Sequence, residues 1–189
     1  MTVVADKGPG GATVGEIATL AGVAQGTFYN HFPALGDLVD EIADELGSGV
    51  EIAQGALETV ERDPAARVAI GILQLLGMAE TDPTAAAAFV ALVAARPSFR
   101  GRVRAIVARA IADGVEVGRF RVDASPAPTN AVLGTALQSM RSIVLGETDA
   151  ESATAVALLV LRLLGVDDDE APAVIAQARS VMQVPVTAS

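Results

Sequence analysis

Thr13 to Phe32 reads TVGEIATLAGVAQGTFYNHF. Thr13 and Glu16 have the spacing of a capping box, in which each side chain satisfies the other's backbone N–H at a helix start. Val14, Ile17, Leu20 and Ala21 then recur at helical spacing and supply one apolar face. Gly22 stops that helix where a left-handed conformation costs least. The turn is expected to bury Val23 as a plug, and a second short helix is expected from about 24 to 30 or 31. Phe28 and Phe32, four apart, would face inward and pack this second helix on the first. Gln25, Gly26 and Thr27 stay outside at its leading end, with Tyr29, Asn30 and His31 behind them. Short polar side chains and a glycine there allow close approach to base edges and phosphates, as a helix-turn-helix requires. The same geometry also occurs as plain packing, so a TFY trio alone would be ordinary core.

The rest of the chain bounds what can surround this unit. Its 189 residues suffice for a small head and one larger domain. Half the residues are hydrophobic, yet aromatics make up only 3%, so the core must be built from Ala, Val, Leu and Ile. No cysteine is present, which excludes disulfides and thiolate metal sites and suits a reducing cytoplasm. No signal peptide is read, and the apolar run 155–161 ends at Arg162, well short of a membrane span. The formal charge of −10 sits poorly with binding duplex DNA, whose affinity rests largely on neutralising phosphates. Up to Phe32 the basic side chains are Lys7 and His31, and Asp37, Asp40, Glu41, Asp44 and Glu45 follow at once.

From Leu35–Asp37 onward a long helix is expected, with Leu38, Val39, Ile42 and Leu46 inward and acids outward. Gly47-Ser48-Gly49 is expected to interrupt it as a bend or hinge before a continuation toward Val60. Asp63-Pro64 and Asp82-Pro83 each pair a capping acid with a proline at the first helical position. They predict helices at about 64–79 and 83–95. Further helices are predicted at about 98–113 (closed by Gly114), 129–145 (closed by Gly146) and 150–164 (closed by Gly165), with a last one ending near Met182. No segment alternates with period two for long enough to make a strand. The expectation is an all-α chain, with a head over 1–46 and a helical body over 47–189.

Catalysis fails on inventory: one histidine and no cysteine exclude most nucleophile–base and zinc arrangements. The Gly-rich run 8–11 lacks the features of a phosphate loop. Asp167 to Glu170 lacks calcium-loop spacing and reads as helix-start acids. No enzyme activity, metal or cofactor is therefore expected. Arg96, Arg100 and Arg104 form a stripe, with Arg102 and Arg109 nearby. Pairing with the acids between Asp37 and Glu45 is preferred over a second anionic contact. The 150–164 helix is apolar nearly all round, so a partner subunit is expected to cover one side. That predicts a homodimer through it and the 129–145 helix, with Ala153, Val156, Ala157, Val160, Leu161 and Leu164 at the interface.

Thr13-Val14 ahead of Ile17-Ala18, then Ala21-Gly22-Val23, Gly26-Thr27-Phe28-Tyr29, His31-Phe32 and Leu38 together resemble the tetracycline-repressor (TetR) family of transcriptional regulators. The resemblance is specific from Thr13 to about Leu38, with a looser echo in GVEVGRFRVD at 114–123. It implies a cytoplasmic, homodimeric, ligand-responsive regulator, a repressor that binds palindromic operator DNA and is released by a small-molecule inducer. It places Thr13, Tyr29 and His31 at phosphate-contacting positions and makes Gln25 and Thr27 the base readers, with Gly26 and Asn30 on the same face. It also implies a ligand pocket in the body. The apolar candidates are Leu73, Leu76, Phe89, Leu92, Phe99, Val103, Ile106, Leu137 and Met140, and Gln74, Gln138 and Arg141 are the polar anchors. Three departures stand out: Ala24 where a capping serine is common, Leu35 where a phosphate-contacting lysine is common, and a short segment ahead of Thr13. There, only Val3 to Ala5 correspond to the first head helix. Two explanations compete, a start upstream of Met1, which is preferred, and a protein that lacks that helix; weakened DNA binding by the chain as written is expected. The alternative is a dimeric ligand-binding protein of the same ancestry that has lost operator affinity.

Overall fold

The structure, a computed structural model, describes residues 13–123, 125–149 and 152–183. The expectations placed on Val3–Ala5, Lys7 and the Gly-rich run lie outside these residues. Within them the chain is helical, with no strand among the described residues. Two short helices, α1 (Val14–Ala21) and α2 (Gln25–His31), make the head, and α3 (Leu35–Val60) leads into the body. The body comprises α4 (Pro64–Thr81), α5 (Pro83–Ala95), α6 (Pro97–Glu116), α7 (Pro126–Val144), α8 (Ser152–Leu163) and α9 (Ala171–Gln183).

Local chemistry accounts for most of the boundaries. Asp63 accepts a 2.9 Å hydrogen bond from the Ala65 N–H, and Asp82 one of 2.9 Å from the Ala85 N–H. Each cap is followed by proline at a position whose missing N–H would have had no partner. The same rule moves the start of α7. It opens at Pro126 behind a Ser125 cap, earlier than expected, because Pro126 and Pro128 both fall in the first turn. Helix α6 runs past Gly114 to Glu116, and Gly118, at φ 71°, makes the turn that follows. Gly114 is instead a contact surface. Its carbonyl accepts from the N–H groups of Arg119 and Phe120, and a Cβ there would lie 2.1 Å from the Phe120 ring.

The expected break at 47–49 is absent, and α3 is one unbroken helix through the expected head–body boundary at 46. Its long apolar face and its packing on α6 outweigh the propensity cost of two glycines, about 1 kcal/mol each. Gly47 is buried because the Arg102 guanidinium lies on it, 2.8 Å from where a Cβ would stand.

Helix α4 is the axis of the body, packing against α5, α6, α7, α8 and α9, while α3 packs chiefly on α6. Ile70, Leu76, Leu92, Phe99, Met140, Leu161 and Leu164 are the largest wholly buried side chains. Phe89 and Phe99 meet edge to face, with ring centroids 5.3 Å apart. Among the described residues, no helix is long and apolar enough to cross a membrane, and no group of side chains has the makings of a metal site.

Candidate functional site

The head forms as its sequence implies. The Thr13 hydroxyl accepts from the Glu16 N–H at 3.3 Å, and the Glu16 carboxylate accepts from the Thr13 N–H at 3.0 Å. Gly22 takes the left-handed conformation at φ 69° and ψ 25°. Ala18 and Phe28 fill the angle between the helices, and Phe28 packs on Phe32 with ring centroids 5.5 Å apart. Val23 does not plug the turn. It is 42% exposed, because those two side chains already occupy the angle and the turn carries it outward. Helix α2 follows Ala24, an N-cap position that offers no side-chain hydrogen bond.

Thr13, Gln25, Gly26, Thr27, Tyr29, Asn30 and His31 are all exposed. Gln25 rests on α1, its Nε2 within 2.7 Å of where a Cβ on Gly15 would stand. Apart from His31, this face offers polar and aromatic groups rather than cations. The acids of α3 are partly compensated from the body. Arg96 pairs with Asp40 at 3.2 Å and donates to the Gly36 carbonyl at 3.4 Å. Arg102 bonds Asp44 at 2.9 Å, Glu51 at 3.0 Å and the Ser48 hydroxyl at 3.1 Å. Arg109 bonds Glu58 at 2.9 Å. Arg100 and Arg104 turn elsewhere, to the Ala94 carbonyl and to Asn130. The ionic seam thus runs through Arg96 at the N-cap of α6 and Arg102 and Arg109 on its face toward α3, and joins two parallel helices along their length.

In the body, a cavity of about 120 Å³ opens between α3, α4, α5, α6 and α7. Four expected residues line it: Phe89, Val103, Ile106 and Leu137. Leu73, Leu76, Leu92, Phe99 and Met140 are buried core and do not line it. Gln74, Gln138 and Arg141 are exposed on outward faces, so none of the three anchors reaches it. Not expected in the lining were Val50 and Gln54 from α3, Arg67, Val68, Gly71, Ile72 and Leu75 from α4, Val107 and Ala110 from α6, and Leu133 and Ala136 from α7. One signal for them was available: Arg67 is a lone cation inside the apolar run PAARVAIGILQLLG. A second chamber of about 110 Å³ adjoins the first between α3, α4 and α6. Gln54, Arg67, Ile106 and Ala110 line both, and Glu51, Glu58, Arg109 and Asp113 make the second polar.

Next to this site the base of the body is clamped by charge. Arg119 donates two hydrogen bonds to Asp63, at 2.7 and 3.1 Å, and another to Glu170 at 3.1 Å. Burial works against the charge on Asp63. Hydrogen bonds from Arg119 and the Ala65 N–H, with the charges of Arg119 and Arg67, outweigh it and hold the pKa below the ordinary value. The Arg119 pKa is raised, chiefly by its hydrogen bond to Asp63. Glu61, buried, accepts from Gln177 at 2.9 Å.

The residues expected at a dimer interface are mostly inside the protomer. Ala157, Val160, Leu161 and Leu164 are wholly buried, Ala153 is 9% exposed and Val156 is half-buried. An apolar helix looks alike on all sides in sequence, and α8 turns this face onto α4 and α7. The outward faces of α7 and α8 carry Gln138, Arg141, Ala155, Leu159 and Arg162, and exposed Leu145 caps the end of α7.

Sequence models of two families match the chain: "Bacterial regulatory proteins, tetR family" over residues 1–42, and "Tetracyclin repressor-like, C-terminal domain" over 63–177. No curated protein matches the sequence. Among solved structures, RolR (NCGL1110) without ligand is 26% identical, with 93% of this chain and 91% of that one covered at a TM-score of 0.67. RolR in complex with resorcinol aligns at 24% identity over 93% and 88%, TM-score 0.64. FadR from Bacillus subtilis in complex with stearoyl-CoA aligns at 18% identity over 87% and 94%, TM-score 0.71.

Proposed function

The chain belongs to the tetracycline-repressor family of bacterial regulatory proteins, and on that premise we propose that it is a homodimeric repressor whose operator is released when a small molecule fills the body cavity. The observation that carries this is the continuity of α3. One end follows the recognition helix α2, and the other supplies Val50 and Gln54 to the cavity wall. Some fifteen residues of helix, about 22 Å at 1.5 Å per residue, separate the two. A ligand that moves α3 against α6 therefore moves the head, with the ionic seam at Arg96, Arg102 and Arg109 as the sliding surface.

In this reading Gln25 and Thr27 read base edges, Thr13, Tyr29 and His31 meet phosphates, and Gly26 and Asn30 complete the face. Two heads on a two-fold axis match a palindromic site. The cavity volume approaches the roughly 150 Å³ of cavities that accept a benzene ring. It suits a ligand of that size, like the resorcinol of the RolR complex, better than an acyl-CoA, the class bound by FadR.

The test is selection of duplexes from a random pool by the full chain, followed by titration. A palindromic site bound by two chains, with binding lost in Gln25→Ala/Thr27→Ala, is the expected result. Failure to enrich any sequence would favour the second reading, a ligand-binding protein that has lost operator affinity. That reading draws its support from the scarcity of cations on the α2 face and the charge of −10.

A further inference from the structure

We propose that the cavity selects a neutral, hydroxyl-bearing molecule about one ring in size, with its hydroxyl between Arg67 and Asp113. This rests on the reading of the cavity as the ligand site and adds the chemical class of the ligand.

The apolar chamber accepts a ring; what distinguishes the site is its junction with the polar chamber. Arg67 stands there with its side chain 14% exposed, paired with the 39% exposed Asp113 at 3.6 Å. That distance holds the charges together but is too long for a hydrogen bond. Among the described residues, neither side chain makes a hydrogen bond, nor does that of Gln54, which lines both chambers beside them. The Gln54 Nε2 lies 3.8 Å from where a Cβ on Gly71 would stand, so its amide crosses from α3 to α4 one turn above Arg67. Three polar side chains that form no hydrogen bond within the protein therefore line the junction at the end of an apolar cavity.

Charge decides which polar group belongs there. The Arg67 charge is balanced by Asp113, that of Arg109 by Glu58, and Glu51 is bound to Arg102. No cation at the junction is left to balance a ligand carboxylate, which would add a negative charge beside Asp113. A ketone can accept from Arg67 but gives nothing to Asp113. A hydroxyl does both: its oxygen accepts from the guanidinium and its proton goes to the carboxylate, with no change in net charge.

Calorimetric titration of the full chain with toluene, phenol and benzoate tests this. Phenol is expected to bind about tenfold or more tighter than toluene, in keeping with hydrogen bonds to charged groups, and benzoate no tighter than toluene. Arg67→Met should reduce the advantage of phenol, because only the bond to Asp113 remains, and leave toluene unchanged. Asp113→Ala, on a half-exposed position that α6 tolerates, should reverse the order in favour of benzoate, because Arg67 then lacks its balancing charge. A purely structural role for Asp113 would not produce that reversal. Equal binding of toluene and phenol would overturn the hydroxyl assignment and leave the cavity as ligand site. So would benzoate binding tighter than phenol in the unaltered chain. Absence of binding by all three would overturn both.

Discussion

Arg119 binds Asp63 with two hydrogen bonds and reaches Glu170 at the start of α9, so one guanidinium ties the first turn of α4 to the last helix. The pKa of Asp63 is lowered from 3.8, so its ionised form is the one the fold stabilises. That contribution is present in full above 3.8 and is lost as pH falls through the lower folded value. Replacing Arg119 by Met should cost about 2 kcal/mol at neutral pH, the scale of hydrogen bonds to a charged group. In thermal melts the gap between the two proteins should narrow as the solution is acidified below the ordinary carboxylate range. A gap independent of pH would mean that Arg119 acts through packing alone. Gly114 gives a second test at this scale. An added methyl would meet the Phe120 ring, so Gly114→Ala should destabilise by about 1–3 kcal/mol, the usual cost of overpacking.

At the scale of elements, α3 separates two uses of glycine. A methyl added at Gly49 would have nothing within 4 Å, whereas Gly47 carries the Arg102 guanidinium. Gly49→Ala should therefore raise stability by about 0.5–1 kcal/mol through helix propensity. Gly47→Ala should lose that gain by displacing Arg102 from Asp44, Glu51 and Ser48, and equal melting temperatures for the two variants would sink the distinction. The same pair shows where sequence stops. Caps announce themselves locally, which is why the acid–proline starts of α4 and α5 and the Thr13–Glu16 box are legible in the sequence. A glycine that bends a helix and one that accepts a neighbour's side chain look identical until the neighbour is in place. Lining residues follow the same logic: Phe89, Val103, Ile106 and Leu137 stand out because they are large and apolar, as the core also is. Gln54 and Arg67 do not, because their value depends on facing one another across two helices.

For the whole molecule, burial of the expected α8 face leaves the outward residues of α7 and α8 as the surface proposed for a dimer contact. Leu159, 53% exposed, and Leu145, 57% exposed, are the apolar side chains available there. Leu159→Glu should yield monomers by light scattering with little change in melting temperature. Val160→Glu should unfold the protomer instead, since it places a carboxylate in the core. A dimer that survives Leu159→Glu would put the interface elsewhere. Charge sets a second property at this scale. With few cations on the α2 face, affinity for DNA should fall less between about 50 and 200 mM salt than the roughly 10³–10⁵-fold loss of binders making 6–10 phosphate contacts.

If the cavity and the head are coupled through α3, ligand and DNA must weaken each other's binding by the same factor. The affinity of the full chain for its selected duplex is measured by fluorescence anisotropy across a titration of toluene or phenol, whichever calorimetry shows to bind. The affinity of that same compound is then measured with the chain saturated by DNA. The compound is expected to weaken DNA binding about fivefold or more, and DNA to weaken binding of the compound by the same factor. A compound that fills the cavity while DNA affinity stays constant would show that cavity and head are not coupled.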